Sequence, residues 1–92
     1  MRILGYIDHP VLKITVFKTD TRLAIKFEDR FLEQTYKFRM QEKLNSLREV
    51  RQMIEGEIIE KVSHQMQQMQ EIHKASLEKL PKDTEEDLPT II

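Results

Sequence analysis

The sequence predicts an α+β fold: a three-stranded antiparallel β-meander, with four strands as the alternative, packed against one long C-terminal helix. Three short runs in the first half alternate apolar and polar residues, which is typical of strands with one buried face. The second half repeats apolar residues every three or four positions, as a helix with one apolar stripe does. The turns between the runs are short, which favours antiparallel neighbours.

Each predicted strand places alternate apolar side chains on one face of the sheet. The three strands are expected at Val11–Phe17, Arg22–Phe27 and Phe31–Arg39, and Gln34 is the one inward position that does not fit. An earlier apolar run, Ile3–Ile7, ends at a proline turn and is expected as an edge strand or as a lead-in to the next strand. A single sheet with one apolar face needs a cover, and only the helix can supply it.

The helix is predicted to run from Ser46 to Leu80. Ser46 and Glu49 have the spacing of a capping box, in which each side chain satisfies a free backbone amide of the first turn. Pro81 lacks an N–H and disfavours helical angles at the preceding residue, so the helix should end there. Gly56 is less favourable in a helix than alanine by about 1 kcal/mol, so a kink or a break at Gly56 is the alternative to a continuous helix.

The apolar stripe of this helix does not stay on one face. At about 100° per residue, its second part centres roughly 110° further round than its first part. A strand of six or seven residues is about 20–23 Å long, whereas the predicted helix spans about 52 Å. We therefore expect the helix from Ile58 onward to extend past the sheet and to form an oligomer interface, in a homodimer first and a homotetramer second. The expected interface residues are Ile58, Val62, Met66, Met69 and Ile72.

Length and composition favour one domain with a tail. Residues 1–80 are expected to form the domain, and residues 81–92 a disordered tail, because the tail is acidic, contains two prolines and has no period. A carboxyl-terminal recognition motif at Thr90–Ile92 is the alternative. The absence of cysteine excludes disulfides and thiolate metal sites. No apolar run approaches the roughly 18 residues of a membrane span, so we expect a cytoplasmic protein without membrane contact.

The two halves of the chain differ in charge. Residues 1–43 contain nine Lys and Arg against six Asp and Glu, whereas residues 44–92 contain six against ten. The predicted outer face of the sheet is basic and carries threonines, which suits contact with nucleic-acid phosphates. The alternative is that these residues only keep exposed strands soluble. The candidate phosphate contacts are Lys13, Arg22, Lys26, Lys37 and Arg39.

The histidines and methionines do not predict a catalytic site. His64 and His73 lie nine residues apart, which is not the spacing of metal ligands on a helix. Met53, Met66 and Met69 would suit an adaptable groove, but methionines at helical spacing more often belong to a core or an oligomer interface. We therefore expect no enzyme, no metal and no cofactor. The expected function is a protein–protein interaction or scaffold module that oligomerises or docks through its helix; the alternative is a nucleic-acid-binding accessory protein.

Overall fold

The structure, a computed structural model, describes residues 1–81. Its four antiparallel strands form one sheet in the order β1-β2-β3-β4, and two helices follow them. The predicted α+β meander is confirmed, and the N-terminal run is a fourth strand at the edge. Residues 82–92, most of the predicted tail, lie outside the described residues. The elements are β1 (Arg2–Ile7), β2 (Lys13–Lys18), β3 (Arg22–Asp29), β4 (Leu32–Arg39), α1 (Leu47–Ile54) and α2 (Glu57–Glu78).

Two strands begin later than the sequence predicted, for local reasons. His9 Nδ1 accepts hydrogen bonds from the backbone N–H groups of Val11 at 3.1 Å and Leu12 at 3.0 Å. These bonds hold both residues in the turn that precedes β2. Between β3 and β4, Arg30 has a φ of 56°, and Phe31 belongs to the turn rather than to the strand.

The apolar face of the sheet and the two helices form one core. The alternation predicted for β2 and β3 is confirmed, because their inward apolar residues are buried. Each such side chain contributes about 1.5–3 kcal/mol when it leaves water, so the core is the main source of stability. The buried apolar residues are Ile7, Leu12, Ile14, Val16, Leu23, Ile25, Phe27, Leu44, Val50, Ile54, Val62 and Met66.

The capping box predicted at the start of the helical segment is present. The Ser46 hydroxyl accepts a hydrogen bond from the Glu49 N–H at 3.4 Å and donates one to the Glu49 carboxylate at 3.1 Å. The Asn45 N–H donates to the same carboxylate at 2.8 Å. This last bond is the largest cause of the pKa of Glu49 lying below the ordinary value of a glutamate. Desolvation opposes it, and weaker contributions from Ser46 hydrogen bonds and from the charge of Arg48 lower the pKa further.

The helical segment is two helices rather than one. Gly56 separates them with a φ of 80° and a ψ of −112°, a backbone conformation that residues with a Cβ rarely adopt. α1 therefore ends at Ile54, where the Glu55 N–H still donates to the Arg51 carbonyl, and α2 begins at Glu57. The break lets α2 leave the line of α1 and take a separate path over the sheet.

The two helices lie over opposite edges of the sheet. α1 packs on β1, where a Cβ on Gly5 would lie 2.7 Å from Leu47 Cδ2, so the glycine permits the close approach. α2 packs on β4, where Gln34 Nε2 donates to the Val62 carbonyl at 3.0 Å. α2 has 22 residues and so is about 33 Å long, longer than any strand. The fold is correspondingly elongated, at 55 × 27 × 20 Å.

Replacing Gly56 with alanine should lower the free energy of unfolding by about 1–3 kcal/mol, because alanine is strained at positive φ. In a continuous helix the same change would raise it by about 1 kcal/mol, so the sign of the effect tests the break. Urea unfolding followed by circular dichroism measures this difference. Gln67→Ala, on the exposed face of α2, is the matched control and should change stability little. A Gly56→Ala variant more stable than the wild type would contradict the break.

Candidate docking surface

An apolar groove of about 430 Å³ opens beside the junction of α1 and α2. α1 covers the β1 side of the sheet and α2 covers the beginning of β4, so the inner face is left uncovered near the end of β4. This cavity, the elbow groove, lies in the size range of pockets that accept a small ligand or a few side chains. It is lined by Ile25, Phe27, Tyr36, Phe38, Met53, Ile54, Ile58, Lys61, Val62 and Gln65.

A buried amide fixes the wall of the elbow groove. Gln34, the residue that did not fit the apolar pattern, is buried and donates through Nε2 to the Val62 carbonyl of α2. Its Oε1 accepts a hydrogen bond from the Tyr36 hydroxyl at 2.5 Å. The Tyr36 ring also meets Phe27 edge to face, with 6.1 Å between centroids. Gln34 therefore ties α2 to β4 and orients the aromatic wall of the groove.

The middle of α2 is anchored at the turn between β3 and β4. Gln70 Nε2 donates to the Asp29 carboxylate at 3.2 Å. Three residues later, the His73 ring stacks on the Phe31 ring at 5.5 Å, with an angle of 4° between the ring planes. The helix then continues to Glu78 beyond this turn. Its last turns therefore extend past the sheet.

Large apolar side chains on α2 and just after it are exposed to solvent. Ile58 is 39% exposed and lies at the mouth of the elbow groove. Ile72 is 66% exposed, Leu77 55% and Leu80 61%. Helices of water-soluble domains normally bury such residues. The exposed side chains and the elbow groove together form the docking surface.

The residues predicted for an oligomer interface fall into two groups. Ile58 and Ile72 are exposed, and Met69 is half-buried at the margin of the core. Val62 and Met66 are buried against the sheet. The prediction that the helix extends past the sheet from Ile58 onward, which was based on helix and strand lengths, is therefore wrong for these two residues. The reason is the break at Gly56, because α2 follows β4 instead of continuing the line of α1.

The sequence did not single out the groove itself. Tyr36, Phe38 and Met53 line it. The positions of Tyr36 and Phe38 indicated only an inward face of a strand, and Met53 was considered for an adaptable groove but assigned to a core or an oligomer interface. The rotation of the apolar stripe was the available signal, because it showed that one straight helix could not bury all of its apolar residues. That signal did not locate the uncovered corner.

The predicted basic face is less uniform than expected. Lys26 is half-buried, pairs with Glu28 at 3.6 Å and lies over the Phe17 ring at 5.4 Å. Thr15 is only 3% exposed, because it sits between Tyr6 of β1 and Lys26 of β3 on the outer face. These two positions therefore offer less to a phosphate than the sequence suggested.

The other four candidate phosphate contacts are exposed, but they do not form a single cluster. Lys13 lies across from Glu28 on β3, so its surroundings are partly acidic. Arg22 and Arg39 lie directly opposite each other on β3 and β4, and Lys37 lies across from Ala24 near the same end. The structure thus gathers three cations, Arg22, Lys37 and Arg39, at one corner of the outer face.

The histidines have local contacts with protein groups. His9 Nδ1 accepts the two amides of its turn, His64 lies 3.4 Å from the Gln68 amide, and His73 stacks on Phe31. Over residues 1–81, no group of three or more His, Cys, Asp or Glu is placed to hold a metal ion. In the same residues every buried side-chain nitrogen or oxygen has a hydrogen-bond partner.

Relationships to known proteins do not supply a function. Comparison of the chain with models of protein families, with curated proteins and with solved structures finds no match. Of the two helices described, neither has the length and apolar character needed to cross a bilayer.

Replacing Gln34 with alanine should lower the free energy of unfolding by about 1–3 kcal/mol, because one buried and one partly buried hydrogen bond are lost. The Tyr36 ring should also lose its fixed orientation, since its hydroxyl loses its acceptor. Near-ultraviolet circular dichroism and urea unfolding measure both effects. Arg39→Ala, at an exposed position of the same strand, should have little effect. If Gln34→Ala is as stable as Arg39→Ala, the amide does not tie α2 to β4.

Proposed function

We propose that this chain is a non-enzymatic protein–protein interaction module that oligomerises through α2 and the elbow groove. The observation that carries the proposal is the exposure of large apolar side chains on a helix that extends past its sheet. Ile72 and Leu77 of α2, and Leu80 just after it, are large aliphatic residues that are each more than half exposed. Surfaces of this kind usually contact another protein.

The energetics favour burial in an assembly. A large aliphatic side chain contributes about 1.5–3 kcal/mol when it is fully buried, so a few of these residues offset much of the cost of association. The domain is also small, and a chain of this size gains a modest net stability from its own core. A partner that covers α2 would therefore stabilise the fold as well as form the complex.

The first expected assembly is a homodimer, and the second is a homotetramer. A twofold dimer uses the same surface on both chains, so an apolar groove and an exposed apolar helix on one chain can serve each other reciprocally. The elbow groove has room for a few aliphatic side chains, and Lys61 and Gln65 at its rim supply polar groups. This arrangement accounts for both parts of the docking surface.

Replacing Ile72 and Leu77 with glutamate should dissociate the oligomer, because carboxylates cannot be buried there without a partner. Light scattering coupled to size exclusion should give the wild type a mass of at least twice 11.1 kDa and the variant a mass near 11.1 kDa. Both residues are exposed in the folded chain, so the variant should keep its circular dichroism spectrum.

A matched control separates charge from packing in this experiment. Gln67→Glu together with Lys74→Gln makes the same change of net charge on exposed positions of α2 away from its apolar stripe. This control should stay oligomeric. A wild type that remains monomeric at high micromolar concentration would contradict self-association through α2.

The corner formed by Arg22, Lys37 and Arg39 favours nucleic-acid binding as a second candidate function. Two arginines face each other across β3 and β4, and arginine is well suited to phosphate contacts. The acidic residues of the helices would confine a nucleic acid to the outer face. This candidate depends on charge alone and therefore ranks second.

If the corner binds nucleic acid, Arg22→Glu with Arg39→Glu should abolish binding, and affinity should fall steeply as salt rises. Fluorescence anisotropy with labelled single- and double-stranded oligonucleotides measures both. Lys13→Glu, far from the corner on the same face, should retain most of the affinity. The absence of binding at tens of micromolar protein in low salt would remove this function.

A further inference from the structure

The two edges of the sheet differ in how well they can accept another strand. β1, at one edge, has an irregular register between Ile3 and Gly5, and such a bulge hinders pairing with a further strand. β4, at the other edge, pairs with β3 in unbroken register over eight residues and contains no proline. Among the described residues, no strand pairs with its outer side. β4 is therefore the edge open to another strand.

The outer face of β4 carries opposite charges that form no ion pair among the described residues. Glu33 and Lys37 are exposed on the outer face, and within residues 1–81 neither forms an ion pair. Glu33 instead lies across from Glu28, a like charge. A lysine beside an open edge normally discourages pairing, unless the approaching strand presents a carboxylate to it. If the approaching strand is β4 of a second copy, its Glu33 can be that carboxylate.

We infer that β4 pairs antiparallel with β4 of a second copy of this chain, about a twofold axis at Thr35. This pairing rests on the proposed function and names its partner. It places Glu33 opposite Lys37 of the second copy, twice per dimer, so the charges on the outer face become complementary. On the inner face, Leu32 meets Phe38 and Gln34 meets Tyr36. Self-complementarity of this kind is what a twofold interface requires.

The pairing also accounts for the docking surface. An antiparallel partner places the Leu32 end of one β4 beside the Phe38 end of the other. In each chain, α2 passes the Leu32 end of β4, where His73 stacks on Phe31. In the proposed dimer, the exposed Ile72 of this helix then lies near the elbow groove of the second copy. Both copies have their helices on the same face of the joined sheet. The edge strand sets the register, and the helix fills the groove.

A different register is less complementary. With the axis at Tyr36, Glu33 would lie opposite Arg39, which is a favourable charge pair. Gln34, however, would lie opposite Phe38, so a polar amide would face an aromatic ring. Lys37 would then face Thr35 and have no carboxylate. The axis at Thr35 satisfies both faces of the strand, so the interface is assigned to it.

A charge exchange tests the pairing through the dissociation constant of the dimer, measured by sedimentation. Glu33→Lys and Lys37→Glu should each weaken the dimer at least about tenfold, because each creates two like-charge pairs across the axis. The double variant restores opposite charges and should return within about threefold of the wild type. Arg39→Glu makes the same change of charge as Lys37→Glu on the same face, and it should leave the dimer nearly unchanged. All four variants change exposed residues, and thermal melts verify that they fold.

The outcomes separate this inference from the proposed function. In one outcome, the wild type is a dimer, Ile72→Glu with Leu77→Glu dissociates it, and the charge variants leave it unchanged. This result overturns the pairing of β4 and leaves docking through α2 in place. Failure of the double variant to recover also overturns the pairing, as does an effect of Arg39→Glu equal to that of Lys37→Glu. A monomeric wild type overturns both the pairing and self-association.

Discussion

The break at Gly56 determines how the apolar face of the sheet is covered. A straight helix from Ser46 to Leu80 would cross the sheet once and leave most of its length unsupported. With a φ of 80°, Gly56 divides the segment into one helix over β1 and a second helix over β4. This division buries Val62 and Met66 in the core. It also leaves the corner at the end of β4 uncovered, which creates the elbow groove.

Folding and the proposed association would draw on the same apolar residues of α2. Val62 and Met66 face the sheet and stabilise the fold, whereas Ile58, Ile72 and Leu77 are left exposed, where the proposed partner would cover them. Gln34 links the two roles, because its amide holds α2 by the Val62 carbonyl and holds Tyr36 by its hydroxyl. A change that loosens this amide should therefore affect the shape of the groove as well as the stability of the chain.

The sequence predicted the sheet better than it predicted the site. Alternation over three runs located β2, β3 and β4 within two residues, since a half-buried strand imposes a period of two. The exact starts depended on the His9 side chain and on Arg30 at positive φ, which follow no periodic rule. Gly56 was recognised as a weak point of the helix, but composition does not reveal the direction in which a broken helix continues. Thr15 belongs to the outer face, whose threonines were expected to be open to phosphates, but neighbours from two other strands cover it, which the pattern of a single strand cannot show.

The most direct test of the central claim, that a second copy covers β4 and the elbow groove, is hydrogen exchange of the β4 amides at high and low protein concentration. The amides of β4 that do not bond to β3 should exchange slowly in the concentrated sample and rapidly after dilution, because the second copy supplies their acceptors. The buried amides of β2 and β3 should exchange slowly at both concentrations. Equal exchange of the outer β4 amides at both concentrations would contradict the account.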